Sequence, residues 1–236
     1  MTVRAYCRFA LLLGTLLAAG PVPAQDTGGD WAALATYRQR DVDLIARGPV
    51  AHRVVFMGDS ITEGWDRDHQ SIFADPRHIN RGISGQTTAQ MLVRFRQDVV
   101  ALHPETVILL GGTNDIAGNG GEVDDATIRG HVRSMVELAQ ANGIRVVLLS
   151  ILPTNHYWWA PQVAPAARIA GHNRWLRDYA AQAGATFVDV HGAMLAGEGA
   201  IDPALSGDGV HPNAAGYAVM ECVLRPALTR SAGERR

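Results

Sequence analysis

The chain has no lysine. All 21 of its basic residues are arginines, set against 23 acidic residues, and the formal net charge is −2. The exclusive use of arginine reads as a compositional bias rather than a functional choice. The near-zero charge excludes the basic footprint that nucleic-acid binding requires. Cysteine is scarce, with two in 236 residues. Cys7 lies in a leader-like segment whose removal would leave Cys222 alone, so the mature chain holds no internal disulfide. Cys222 falls in an apolar helical pattern and is expected to be a buried structural thiol. The N-terminal apolar run, Phe9 to Ala19, is too short for a comfortable membrane span. There is no internal repeat and no low-complexity linker. His52, His69, His78 and His103 share no ligand spacing and are expected on the surface, with no metal.

What is present is ordinary globular composition, 47% hydrophobic and 19% charged, with length enough for a sizeable core in one domain. Arg4 and Arg8 precede the apolar run, and Val22-Pro23-Ala24 follows it with small residues where a signal peptidase cuts. Residues 1–24 therefore read as a secretory signal peptide, and 25–236 as the mature domain, exported to the periplasm or beyond. Cys7 precedes the apolar run, so it is not placed like a lipoprotein cysteine. Cleavage takes the formal charge to about −4.

Strand-like and helix-like runs alternate along the mature chain. Gln25 to Gly29 is polar and expected to fray. Asp30 is expected to cap a helix over Trp31–Ala46, packing through Trp31, Leu34, Val42 and Ile45. Strands are expected at Arg53–Met57, His78–Arg81, Thr106–Leu110, Ile144–Leu149 and Ala185–Val190. Helices are expected from Thr87 or Thr88 to Leu102, from Asp124 or Asp125 to Asn142-Gly143, over Ala166–Ala183, and over Asn213–Leu228. This alternation predicts an α/β fold with a parallel sheet covered on both faces. Five strands suggest a flavodoxin-like three-layer α/β/α sandwich with order 2-1-3-4-5.

The unusual residues fall at the carboxyl ends of strands, the rim where open α/β sheets bind ligands. Gly58-Asp59-Ser60 follows the first strand, and Gly58 leaves room for a sharp turn beside the serine. A serine hydroxyl needs a neighbouring base, and that base needs an orienting partner. Asp208-Gly-Val-His211 can supply both from one loop, or Asp208 can cap the last helix while His211 lies on the surface. An oxyanion formed on an ester needs fixed donors. The Ser60 amide, the Gly85 amide and the Asn114 side chain are candidates, although Asn114 could equally tie up a turn. Asp59 reads either as a brace for the nucleophile turn or as a residue that only stabilises the turn, and Asp115 as a structural tie on the loop that holds Asn114. Tyr157, Trp158, Trp159 and Trp65 offer flat apolar area for a substrate pocket; the alternative is that they close the rim or form a subunit contact.

Taken together, Gly-Asp-Ser60-Ile-Thr, Ile-Ser-Gly85-Gln-Thr, Gly-Gly-Thr-Asn114-Asp and Asp208-Gly-Val-His211-Pro-Asn resemble the four blocks of the SGNH hydrolases, also called GDSL-type esterases and lipases. They occur in family order and span nearly all of the mature chain. The wording is closest to the bacterial branch similar to platelet-activating-factor acetylhydrolase, with Gly-Asp-Ser-Ile in place of Gly-Asp-Ser-Leu. The resemblance implies the SGNH hydrolase fold, Ser60 as nucleophile, His211 as base and Asp208 as its partner. It also implies an oxyanion hole of Ser60, Gly85 and Asn114, and no metal or organic cofactor. The expected activity is hydrolysis of short acyl esters, with acetylated carbohydrate or a small-molecule ester as substrate. Lysophospholipase, thioesterase or arylesterase activity is the alternative on the same residues. A non-catalytic carbohydrate-binding module would require a lost catalytic residue, and none is missing.

Overall fold

The computed structural model describes residues 29–68 and 72–229. The signal-peptide expectation for residues 1–24, the polar start at 25–28, His69 and the tail past Thr229 lie outside these residues.

Five parallel strands form one sheet: β1 (Val54–Gly58), β2 (His78–Gly82), β3 (Thr106–Leu110), β4 (Arg145–Leu149) and β5 (Thr186–Val188). Their order is β2-β1-β3-β4-β5, as the strand pattern predicts. β1 and β3 are buried along their whole length, which is why they read as unbroken apolar runs. The two-residue period of a strand divides their side chains between two cores. Val55, Met57, Val107, Leu109, Val146 and Leu148 face one core. That core is closed by α3 (Thr88–Asp98), α5 (Asp125–Ala141) and α6 (Ala166–Ala183). Val54, Phe56, Ile108, Leu110, Val147 and Leu149 face the other, closed by α2 (Ser60–Asp68), α7 (Val190–Met194) and α8 (Ala214–Thr229).

The first helix departs from expectation. α1 covers only Arg38–Ala46. The Asp30 carboxylate is spent on the Ala35 amide at 2.6 Å, and Ala33 has a left-handed φ of 55°, which no helix can pass through. Three of the four expected packing residues, Trp31, Val42 and Ile45, are exposed, and Leu34 is half-buried. Ala32, Tyr37 and Asp41 do the packing instead. Asp41 meets Arg81 of β2 at 2.5 Å, and the Tyr37 hydroxyl donates to the Gly82 carbonyl.

Other corrections are local. α3 ends at Asp98, and Leu102 belongs to a separate short 3-10 turn, Val100–Leu102. The polar stretch after Ser60, where the sequence pattern marks no element, is the helix α2. Cys222 is exposed, because the buried stripe of α8 runs through Tyr217, Met220, Glu221 and Leu224 and misses it. His78 is half-buried, with Nδ1 2.6 Å from the Ile72 carbonyl, while His52 pairs with Glu105 at the surface. No helix among the described residues is long and apolar enough to cross a membrane.

Candidate active site

Ser60 stands where β1 gives way to α2. Gly58 is needed there: a Cβ would lie 2.0 Å from Thr62 Oγ1 and 2.7 Å from the Leu110 carbonyl. As the first residue of α2, Ser60 has an amide that no carbonyl within the helix can take. Its hydroxyl lies 2.9 Å from His211 Nε2. His211 Nδ1 lies 2.7 Å from Asp208 Oδ2. Because a carboxylate only accepts, Nδ1 carries the proton, and Nε2 is left to accept from Ser60.

The Asp208 side chain is itself held. Its Oδ1 accepts from the amides of Val210 and His211 at 2.9 and 2.7 Å and from Ser206 Oγ at 3.2 Å. Burial alone would raise this carboxyl. The His211 ring and the two amides outweigh burial and hold it at about 2, so Asp208 is an anion at neutral pH. The three-residue offset read from the sequence therefore brings Asp208, His211 and Ser60 into one hydrogen-bonded line. An imidazole in that position can take the serine proton as the oxygen attacks a carbonyl.

The candidate donors border the same cavity. Ser60, Ser84, Gly85, Asn114, Asn119, Trp158, Trp159 and His211 line an open space of about 260 Å³. Gly85 has a left-handed φ of 76° and borders the cavity with no side chain to hinder close approach to its backbone. Asn114 is buried on the short helix α4 (Thr113–Ala117), and its Nδ2 donates to the Gln86 carbonyl at 3.0 Å. A larger cavity of about 570 Å³ lies beside β2, lined by charged residues such as Arg40, Asp43 and Arg67; neither Ser60 nor His211 borders it.

A family model for the GDSL-like lipase/acylhydrolase family matches residues 56–219, which include Ser60, Gly85, Asn114, Asp208 and His211. The chain belongs to that family. It is a carboxylic ester hydrolase by this membership. A solved structure of a candidate acylhydrolase from Bacteroides fragilis is 44% identical, with a TM-score of 0.82, over 85% of this chain and 97% of that one. A GDSL-like lipase from Bacteroides thetaiotaomicron is 40% identical, with a TM-score of 0.81, over 84% and 98%. Esterase TesA of Pseudomonas aeruginosa is 28% identical over 183 residues, 72% of this chain and 84% of TesA.

Within the GDSL-like scaffold the four aromatics separate into two pairs. Trp158 and Trp159 border the site, and Trp158 is 65% exposed. Trp65 and Tyr157 do not border it. Trp65 points from α2 into the core, fully buried, stacked on Tyr217 at 5.6 Å and donating to Glu221 at 3.3 Å. Tyr157 is fully buried too, with its ring 4.9 Å from Trp159 and its hydroxyl without a partner among the described residues. Burial raises the Tyr157 phenol, and the ring contact places this side chain beneath Trp159.

Asp59 holds the nucleophile turn by a local bond, and Asp115 makes the expected tie. Asp59 Oδ1 accepts the Ile61 amide at 3.0 Å, and burial pushes this carboxyl up to about 6 against that hydrogen bond. Asp115 accepts from the Thr88 amide at 2.9 Å and the Thr88 hydroxyl at 2.5 Å, tying the Asn114 helix to α3.

Further supports were not anticipated from sequence. Glu63, one turn after Ser60, accepts from both the amide and the hydroxyl of Ser84 and so anchors the loop that carries Gly85. Buried Arg94 donates to the carbonyls of Gly58 and Arg81 at 2.9 and 2.8 Å and to Gln86 at 2.5 Å. Their only signal was spacing: Glu63 faces the next loop from the first turn of a helix, and Arg94 faces inward from α3 among apolar residues. Among the described residues no group of three or more His, Cys, Asp or Glu side chains is placed to hold a metal ion.

Proposed function

We propose that the chain is an exported serine esterase that cleaves short acyl esters through an acyl-Ser60 intermediate. The observation that carries this reading is the line Ser60–His211–Asp208, with spacings of 2.9 and 2.7 Å. In the first step Ser60 Oγ bonds to the carbonyl carbon while its proton passes to His211 Nε2. The oxyanion is held by the Ser60 and Gly85 amides and the Asn114 side chain. Collapse expels the alcohol, which leaves with the proton from His211. Water then repeats the sequence on the acyl-serine, releasing the acid and restoring Ser60. Asp208 stays ionised and orients the ring.

The substrate reading rests on the shape of the site. The cavity is small and open, about 260 Å³, and its lining is mostly polar apart from Trp158 and Trp159, which suits a short acyl group better than a fatty chain. Trp158 lies largely exposed at its edge, an aromatic surface suited to packing on a sugar ring or another flat alcohol. An acetylated carbohydrate fits both features. Export rests on the N-terminal pattern of 1–24. The test is hydrolysis of p-nitrophenyl acetate, butyrate and octanoate by the mature protein. Acetate should be preferred; a preference for octanoate would overturn the short-acyl reading and direct the search to lipids and thioesters.

A further inference from the structure

Asn114 is useful as an oxyanion donor only in one of its two amide orientations. With Nδ2 toward the site it donates; turned by 180° it would present Oδ1 and repel the developing charge. The orientation is set by a hydrogen-bonded line that runs away from the site. Trp159 Nε1 donates to Asn119 Oδ1 at 2.8 Å. Asn119 Nδ2 donates to Asn114 Oδ1 at 2.6 Å. Asn114 Nδ2 donates to the Gln86 carbonyl at 3.0 Å, and its other contact is a long one, 3.5 Å to Asp59 Oδ2.

The polarity of this line is determined at both ends. An indole N–H can only donate, so the group facing Trp159 must be the Asn119 oxygen. Asn119 then turns its NH₂ to Asn114, and the group it meets must be the Asn114 oxygen. At the far end the Gln86 carbonyl can only accept, which demands the Asn114 NH₂. Reversing either amide leaves two donors or two acceptors facing each other at hydrogen-bond distance. One N–H of Asn114 is spent on Gln86, and the second makes only the long 3.5 Å contact to Asp59, a weak hold that an oxyanion in the site Asn114 borders would outcompete.

We propose that Asn119 is a positioning residue for the oxyanion hole: with Trp159 it fixes the Asn114 amide in its donating orientation. This rests on the reading of Asn114 as an oxyanion donor. It gives the indole of Trp159 a task besides lining the substrate cavity, and it accounts for an exposed asparagine five residues past Asn114 in a glycine-rich loop.

The decisive variant is Asn119→Asp. Its carboxylate still accepts from Trp159 but cannot donate to Asn114, and it attracts the Asn114 NH₂, turning Oδ1 toward the site. Its kcat on p-nitrophenyl acetate should approach that of Asn114→Ala, a fall of roughly a hundredfold, with KM within about threefold because the donor acts on the transition state. Asn119→Ala removes the bias without reversing it, since Gln86 still accepts, and should cost about tenfold, the worth of roughly one hydrogen bond. In the double variant Asn114→Ala/Asn119→Asp, the second change should cost nothing further, because its effect passes through Asn114. A merely structural role would give additive losses instead. If Asn119→Asp fails to fold by circular dichroism, Asn119→Ala and its double with Asn114→Ala carry the same comparison. Wild-type kcat in Asn119→Asp, or additive losses in the double variant, would overturn the proposal while leaving Asn114 as a donor. Wild-type kcat in Asn114→Ala would instead overturn the donor reading itself.

Discussion

Adding one methyl group at Gly82, which belongs to no reacting group, should disable the site. Gly82 ends β2 and pairs in register with Gly58 of β1. A Cβ on Gly82 would lie 2.1 Å from the Glu63 nitrogen, 2.6 Å from the Thr62 carbonyl carbon and 2.7 Å from Glu63 Cα. All three are backbone atoms in the first turn of α2, so no side chain can swing aside. Ordinary contact begins near 3.4 Å, so that turn must retreat by about 1 Å. Ser60 begins the same turn, and its 2.9 Å bond to His211 would lengthen past hydrogen-bond range. A misplacement of that size costs roughly a hundredfold in rate, and the overpacking costs about 1–3 kcal/mol of stability. The assay is kcat with p-nitrophenyl acetate for Gly82→Ala, beside a thermal melt. Gly130→Ala, whose Cβ would meet nothing within 4 Å on α5, should keep wild-type activity and serves as control. Gly82→Ala with kcat within threefold of wild type would refute the claim that close packing of β2 on α2 positions the serine.

Two further predictions test residues at and beneath the site. Trp65→Ala should destabilise the fold by about 3–5 kcal/mol, as expected for a fully buried tryptophan, whereas Trp158→Ala should leave the melting temperature nearly unchanged and raise KM for a bulky ester; the reverse pattern would return Trp65 to the substrate pocket. Asp59 has a carboxyl raised from 3.8 to about 6 by burial, so its protonated form supports the fold fully below the unfolded value, and that support is lost as pH rises through about 6. The change is worth at most about 3 kcal/mol. Urea titrations between pH 4 and pH 8 should show a loss of stability with rising pH in wild type that is absent from Asp59→Asn, and parallel curves for the two proteins would contradict the assignment.

The sheet was legible because strands buried on both faces are written as short apolar runs. Thr106–Leu110 is both the run and the strand, and its neighbours differ from the runs by one or two residues at their ends. The helix Ala166–Ala183 was equally plain, stopped by Gly184 with a left-handed φ of 65°. The start of the chain was not legible, because Asp30 can close a turn as readily as cap a helix and only the left-handed Ala33 decides between them. The site separates along the same line. Ser60, Asp208 and His211 meet because strand ends in a parallel sheet share a rim. The aromatics misled, since nearness to Ser60 in sequence says nothing about direction: Trp65 lies five residues on along α2, on the face that packs against α8. Asn119 was invisible for a different reason. It acts through hydrogen bonds to the Asn114 amide on α4 and the Trp159 indole of another loop, and pattern and spacing carry no record of such pairing.

The most direct test is reaction of the mature protein with a fluorophosphonate probe, followed by mapping of the labelled peptide and assay of Ser60→Ala on p-nitrophenyl acetate. The account predicts a single label on Ser60, and in the variant a loss of both labelling and hydrolysis with an unchanged melting temperature. Hydrolysis retained by a folded Ser60→Ala, or a label that maps to another residue, would contradict the assignment of Ser60 as the nucleophile.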